Sequence, residues 1–237
     1  MQQGEDRETS LVFAHPIALH RAAGNGRIDD MREAILSEDV NVLDDKGEAA
    51  LHHAVRHGNL NCVELLLDGG ADVNLCTRGP LGMLQTPLHI AAGKACGQRS
   101  LRDSLAIVQT LLDHGANPGA LNKMSKNPFH IAVMSGAAEL CGAMLDSLAP
   151  ENQSQLISAP ADGDSLPVHL AALANDGLML QWLLNRGADP LARDRRGRTP
   201  ADIALSAGSS QVSWTRLVLQ RYHVRASAVE CAPSLVP

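Results

Sequence analysis

The stretch of the chain that decides its fold is Thr86-Pro87-Leu88-His89-Ile90-Ala91-Ala92. A threonine before a helix accepts a hydrogen bond from a backbone N–H of the first turn, and proline suits the first helical position because its missing N–H costs nothing there. Leu88, Ala91 and Ala92 fall on one face of such a helix, and the small alanines let a second helix approach closely. The stretch therefore predicts a well-capped helix that packs tightly against a neighbour.

The same pattern recurs along the chain. Its Leu-His-x-Ala core, or a close variant, stands at 19–23, 51–55, 88–92, 129–133 and 168–172, and a sixth copy at 201–205 has Asp202 in place of the histidine. A second motif, Leu-Leu-x-x-Gly-Ala followed by Asp or Asn, recurs at 65–74, 111–118 and 183–190. Its glycine is typical of a helix C-cap, after which the chain turns toward the next copy. The sequence therefore predicts an array of helix pairs.

Helix, short turn, helix and β-turn at a period of about 33 residues resembles the ankyrin repeat. The resemblance implies an all-α solenoid of helix-turn-helix units that carry β-turn fingers. Six repeats are predicted, at 17–43, 44–76, 81–120, 122–159, 161–193 and 194–222. Residues 1–16 then form an N-terminal extension, and residues 223–237 form a C-terminal tail that is predicted to be disordered.

Each predicted repeat contains an inner and an outer helix. Inner helices are expected near 17–24, 50–57, 87–94, 128–135, 167–174 and 200–207, and outer helices near 27–36, 60–68, 103–113, 138–148, 178–185 and 210–221. Departures from the period indicate insertions at 77–84, 95–102 and 149–160. Repeats two, four and five begin with Ala49-Ala50, Asn127-Pro128 and Leu166-Pro167. Their helix caps are expected to be weaker by about 1 kcal/mol wherever no side-chain acceptor remains.

Composition and charge exclude several classes of protein. The net charge is −6, and the chain lacks the broad basic face of nucleic-acid binders, so direct binding of nucleic acid is not expected. The five cysteines show no Cys-x-x-Cys spacing and are interpreted as reduced thiols. Neither a signal peptide nor an apolar run of the roughly 18 residues that a membrane span needs is visible. The sequence predicts a cytoplasmic or nuclear protein, monomeric on its own, with no cofactor and no membrane contact.

The histidines do not predict a metal or catalytic site. Five of them occupy the same position in their repeats, namely His20, His52, His89, His130 and His169. The resemblance implies that each bridges backbone groups of adjacent repeats, whereas a zinc site needs three or four converging ligands. An enzyme built on the solenoid surface, with Cys62 as nucleophile and His57 as its base, is the alternative from a different class. Cys62 is instead expected in the core.

The resemblance implies that partners bind to a concave face formed by the finger tips and the inner helices. The family's contact positions correspond here to Asp45, Lys46, Glu48, Arg56, His57, Met83, Gln85, Lys94, Lys123, Met124, Lys126, Met134, Arg193, Arg195, Arg196 and Arg198. Met83, Met124 and Met134 are interpreted as an adaptable apolar patch, with a core position as the alternative for Met134.

The arginines between Arg186 and Arg198 form the sharpest local charge cluster. One interpretation is a solvated rim. The other is an anchor for an acidic or phosphorylated segment, because a guanidinium group pairs with carboxylate or phosphate in two-pronged geometry.

The predicted function is protein–protein recognition, as an adaptor or scaffold or as an inhibitor that masks its partner. Six repeats with long insertions in the middle of the array also resemble the inhibitor-of-NF-kappa-B-like ankyrin proteins. A microbial effector that binds a host protein is a further hypothesis, since arginine far exceeds lysine in the chain, as it does in proteins from GC-rich genomes.

Overall fold

The structure, a computed structural model, describes residues 18–79, 82–94 and 101–206, which form twelve α-helices, one short 3₁₀ turn and an isolated β-bridge between Leu43 and Ala49. The inner helices are α1 (Ala18–Asn25), α3 (Ala50–His57), α5 (Pro87–Lys94), α7 (Pro128–Met134), α10 (Pro167–Leu173) and α12 (Pro200–Ser206). The outer helices are α2 (Ile28–Ser37), α4 (Leu60–Asp68), α6 (Leu101–Asp113), α8 (Ala138–Asp146) and α11 (Gly177–Asn185). Consecutive inner helices pack side by side, as do the first four outer helices, so the fold is an all-α solenoid of two helical layers.

The helices predicted from the repeat pattern are confirmed, each to within about two residues, wherever they lie in the described residues. One helix is additional. α9 (Pro150–Ile157) lies in the insertion at 149–160, and it begins with a proline at its first position and Glu151 in its first turn. The outer helix predicted at 210–221, the extension 1–16, the tail 223–237 and most of the insertion at 95–102 lie outside the described residues.

In four of the repeats, the repeated histidine joins its repeat to the next one. In α3 the Nδ1 atom of His52 accepts the Ala49 N–H at 3.0 Å, so the proton stands on Nε2, which donates to the Gln85 carbonyl at 3.2 Å. Through Nε2, His20, His89 and His169 reach the carbonyls of Glu48, Lys126 and Arg198 in the next repeat, and His20 and His169 also bind Val42 and Ala192. His130 binds the carbonyl of Ala159, the last residue of repeat four. The predicted bridging role is confirmed for the other four histidines.

Burial lowers the pKa of four of these rings. Desolvation lowers the pKa of His20, His89 and His130, and it lowers the pKa of His52 to about 4. The neutral ring is therefore the form that the folded repeats hold.

The helix caps differ between repeats. Asn127 Oδ1 accepts the His130 N–H at 2.8 Å, so repeat four has a full cap despite its departure from threonine. Ala49 and Leu166 offer no side-chain acceptor, as expected, and only the histidine ring closes the first turn at those two positions. In the sixth repeat Asp202 replaces the histidine, and its carboxylate accepts both the N–H and the hydroxyl of Thr199 at 2.8 Å.

The fingers are tight turns, and the side chain of the first residue stabilises each of the three turns that follow. Asp44, Asn122 and Asp194 each accept, through Oδ1, the backbone N–H groups two and four residues further on. Gly47 has a φ of 76°, and a Cβ at this position would overlap the Arg78 carbonyl of the next finger. Glycine is therefore required there both by the backbone conformation and by the close approach of two fingers.

Backbone hydrogen bonds join neighbouring fingers. The N–H groups of Arg78, Lys123 and Arg195 donate to the carbonyls of Gly47 at 2.8 Å, Met83 at 2.9 Å and Gly163 at 3.1 Å, respectively. Within the described residues no equivalent bond joins the fourth finger (122–126) to the fifth (161–165).

The core runs along the array between the two helical layers. Small and branched aliphatic side chains fill it, with Phe129 and Met144 among the largest that are fully buried. In the part of the chain that the structure describes, no helix has the length and apolar character to cross a membrane.

Candidate partner-binding surface

The fingers and the inner helices together present one face of the array, here called the finger face. A cavity of about 400 Å³ lies in it between the second finger (44–48) and the third finger (77–85). Five residues predicted to contact a partner line this cavity, namely Asp45, Lys46, Glu48, Met83 and Gln85. Thr77 and Gly82, which the sequence analysis did not select, complete the lining. The structure therefore brings together residues from two fingers that are about 40 positions apart in the sequence.

A charged network in the second repeat holds Glu48, which lines this cavity. His53 Nε2 lies 2.9 Å from Asp44 Oδ2 and 3.7 Å from Glu48 Oε2, and Glu48 also pairs with Arg56. Burial opposes ionisation of Asp44, yet the Glu48 N–H and the His53 ring outweigh it and lower the pKa of this carboxyl group. Glu48 and Arg56, both predicted to contact a partner, are thus bound to each other.

A second cavity, of about 310 Å³, lies on the finger face of the first two repeats. Asp45, Lys46 and His57 line it, as do residues that the sequence analysis did not select, including His20, Arg21 and His53. Arg21 and His53 each directly follow the repeated histidine in sequence. A residue at that position lies on the inner helix beside the finger. Its place directly after the repeated histidine is the signal by which it could have been selected from the sequence.

The fourth finger exposes Lys123 and Met124, whereas Lys126 is half-buried and its carbonyl accepts the His89 bond. The Lys123–Met83 backbone bond places Met124 on the finger next to Met83. Met134 is exposed rather than in the core, but it lies at the opposite end of α7 from the fourth finger. The three methionines are thus spread over two fingers and one helix end. The backbone of Lys94 ends α5, and its side chain lies outside the described residues.

The arginines of the sixth finger divide into two groups. Arg193 donates to the Gly197 carbonyl at 2.8 Å, and Arg198 donates to the buried Asp194 carboxylate through Nε at 2.9 Å and Nη2 at 2.8 Å. Arg195 and Arg196 are exposed, and among the described residues neither side chain has an ion pair. These two guanidinium groups are therefore available to a ligand.

Arg186 is not part of the sixth finger. Its guanidinium carbon lies 3.8 Å from the centre of the Trp182 ring on the outer layer, in a cation–π contact. The fifth finger, beside the sixth, instead carries the exposed acidic residues Asp162 and Asp164.

The described residues give little support to the enzyme alternative. Cys62 is buried, and this burial raises the pKa of its thiol, which disfavours the reactive thiolate. Burial likewise raises the pKa of Cys141 to about 12. Within residues 18–79, 82–94 and 101–206 no three histidine, cysteine or acidic side chains cluster in a way that would hold a metal ion.

Comparison with known families identifies the repeat. Three sequence profiles, described as ankyrin repeats in three copies, ankyrin repeats in many copies and a single ankyrin repeat, match residues 19–101, 152–204 and 83–123. Together they cover about two thirds of the chain, and the internal gap between them, 124–151, holds most of repeat four.

Several human proteins are similar to this chain. Ankyrin repeat and SOCS box protein 16 is 30% identical over 209 residues, which are 85% of this chain and 43% of that protein. B-cell lymphoma 3 protein is 31% identical over 171 residues, 70% of this chain and 35% of that protein. Rabankyrin-5 is 30% identical over 115 residues, 46% of this chain and 10% of that protein. The chain thus spans less than half the length of each of these relatives.

A solved structure shares the fold. It is a chain from the complex of a predatory endopeptidase of Bdellovibrio bacteriovorus with an immunity protein, and it superposes with a TM-score of 0.71 at 21% sequence identity. The similarity covers 88% of this chain and 99% of that chain.

Proposed function

Because this chain belongs to the ankyrin-repeat family, whose members bind other proteins, we propose that it is a recognition module that binds a partner protein through its finger face. The observation that carries this proposal is the cavity between the second and third fingers, around which five independently predicted contact residues meet. As an adaptor or scaffold, the chain would bring this partner to another factor. As an inhibitor, it would mask the partner's functional surface. The proposal assigns recognition to the chain and no chemistry of its own.

The finger face supports this proposal better than the outer layer does. Its cavities combine charged side chains with Met83, and Lys46, Lys123, Arg195 and Arg196 are exposed on its fingers. A polar surface with a few apolar anchors is the usual composition of a non-obligate protein interface. We propose a cytoplasmic or nuclear location for this binding, because the buried cysteines are free thiols.

Site-specific photo-crosslinking tests which face is used. A photoreactive amino acid is introduced at Gln85, which lines the cavity, or at Gln109, which is exposed on the outer helix α6, and the full chain is expressed in cells. We expect Gln85 to give a discrete crosslinked partner that excess unmodified chain competes away. We expect Gln109 to give none. A competed partner that appears at Gln109 and not at Gln85 would overturn the proposal.

A further inference from the structure

Three exposed apolar side chains stand together at one edge of repeats four and five. Met134 and Leu173 each lie four residues after the repeated histidine, at the C-terminal ends of α7 and α10, and they are 45% and 61% exposed. Leu178, near the start of α11, is 79% exposed. The same position in repeat two holds Arg56, which is paired with Glu48.

The turns that carry these side chains are stacked on each other. α7 packs against α10, and the Asp176 carboxylate of the second turn lies 2.7 Å from where a Cβ on Gly136 of the first turn would be. Asp176 also caps α11 by accepting the N–H groups of Leu178 and Met179 at 3.1 and 2.9 Å. Met134, Leu173 and Leu178 therefore form one apolar ridge, here called the repeat 4–5 ridge, on a fixed backbone.

Packing within the chain does not account for this ridge. Single exposed leucines are common in soluble proteins, but adjacent ones on a rigid turn mark a surface that a partner covers. The exposed part of each side chain is stabilised when a partner removes it from water. Among the described residues, Leu173 and Leu178 leave most of their surface exposed and Met134 leaves about half.

The opposite edge of the same face carries the unpaired guanidinium groups. Arg195 and Arg196 lie on the sixth finger, which a backbone bond joins to the fifth finger, and the fifth finger precedes α10. In this finger Arg198 is paired with Asp194 and Arg193 donates to the Gly197 carbonyl, whereas among the described residues Arg195 and Arg196 have no ion pair. A partner that crosses from the sixth finger to the helix edge of repeats five and four meets Arg195 and Arg196 first, with Asp162 and Asp164 exposed on the neighbouring fifth finger, and the apolar side chains afterwards.

We infer that repeats four to six bind an amphipathic segment of a partner protein that carries aspartate or glutamate at one end and large apolar side chains at the other. The carboxylates pair with Arg195 and Arg196, and the apolar side chains cover the repeat 4–5 ridge. This inference rests on the proposed function and names the chemistry of the partner. Guanidinium groups favour carboxylates because their parallel N–H groups match the two oxygen atoms.

The test uses a phage-displayed library of random peptides that is panned on the full chain. Enriched peptides are expected to combine acidic with large apolar residues. Their affinity should fall about tenfold or more in Leu173→Gln and in the double variant Arg195→Glu/Arg196→Glu. The matched controls are Leu36→Gln, at a leucine that is 89% exposed on α2, and Arg32→Glu, both of which should leave affinity unchanged. Thermal unfolding of each variant verifies that the fold is intact.

The inference is overturned if no peptide is enriched, if the enriched peptides lack acidic residues, or if they bind Leu173→Gln and the double arginine variant as tightly as the native chain. The outcome is separable from that of the proposed function. If a native partner crosslinks at Gln85 but substitution of the ridge does not change peptide binding, the finger face remains the proposed binding surface. Only the amphipathic segment proposed here is then rejected.

Discussion

The junction between repeats two and three and the junction between repeats four and five are built differently. At the first, the Arg78 N–H binds the Gly47 carbonyl, and Asn74 binds both the Gly115 carbonyl at 3.0 Å and the Asn117 N–H at 2.9 Å. The outer helices α4 and α6 also pack there. Across the second junction the fingers share no backbone bond among the described residues, and α8 and α11 barely touch.

The insertion explains this difference. In repeats one and two the chain returns from the outer helix through a short loop, whose Asn41 or Asn74 binds the next repeat. In repeat four the chain instead enters α9. Among the described residues, this junction keeps the packing of α7 on α10, the contact of Asp176 with the turn at Gly136, and the His130 bond at 2.9 Å to Ala159, just before the fifth finger. Because a solenoid is stabilised by contacts between neighbouring repeats, repeats one to four and repeats five and six are expected to form two cooperative blocks.

Acidification should lower the free energy of unfolding by the largest amount, because the histidine bond is common to both kinds of junction. The folded state holds His20, His52, His89 and His130 with lowered pKa values, so the unfolded chain binds protons first as the pH falls below 6.5. The stabilisation that the neutral histidine rings contribute is therefore fully present above about pH 6.5. It is lost as the pH falls toward the pKa values of the folded state. His52, with a pKa of about 4, should alone contribute a loss of about 3 kcal/mol between pH 7 and pH 4.

Urea unfolding at a series of pH values measures this loss. The control is His52→Leu, which should be less stable than the native chain at pH 7 but should show a shallower decline toward pH 4. If the two chains decline in parallel, the histidine bridges do not carry the pH dependence.

A smaller difference is expected between the two blocks in native-state hydrogen exchange. Amides of α10–α12 should open with a free energy about 2 kcal/mol below that of α3–α7, and they should open together. Both ends of any solenoid fray, so α1 and α2 serve as the internal reference. Equal and gradual opening at the two ends would show that fraying rather than the junction sets the pattern.

The smallest effect should come from a single side chain at the tightly joined junction. Asn74→Ala removes the bonds to Gly115 and Asn117 and should lower the free energy of unfolding by about 1 kcal/mol, since both bonds are exposed to water. Asn152→Ala on α9 is the matched control, because Asn152 is exposed and makes no side-chain hydrogen bond within the described residues. This control should stay within about 0.5 kcal/mol of the native chain by urea unfolding. Equal losses in both variants would remove the distinction between the junctions.

The functional surface was predictable only in part. Asp45, Lys46, Met83 and Gln85 follow from their place in the repeat, and the structure places them around one cavity. The sequence does not separate Arg195 and Arg196 from Arg193 and Arg198, because all four are equally basic in the chain. Only the folded finger shows that Arg198 lies against Asp194 and that Arg193 reaches the Gly197 carbonyl.

The sequence by itself determined the repeat and its helices, while the resemblance to the ankyrin repeat implied the structural role of the histidines. These properties are local and periodic, so a cap, an apolar face and a fixed spacing suffice to specify them. The tertiary structure alone decided the strength of each junction, the pairing of charges within the fingers and the repeat 4–5 ridge. Each of these depends on distances between residues far apart in the chain, such as Gly136 and Asp176, and such distances have no counterpart in the order of the residues.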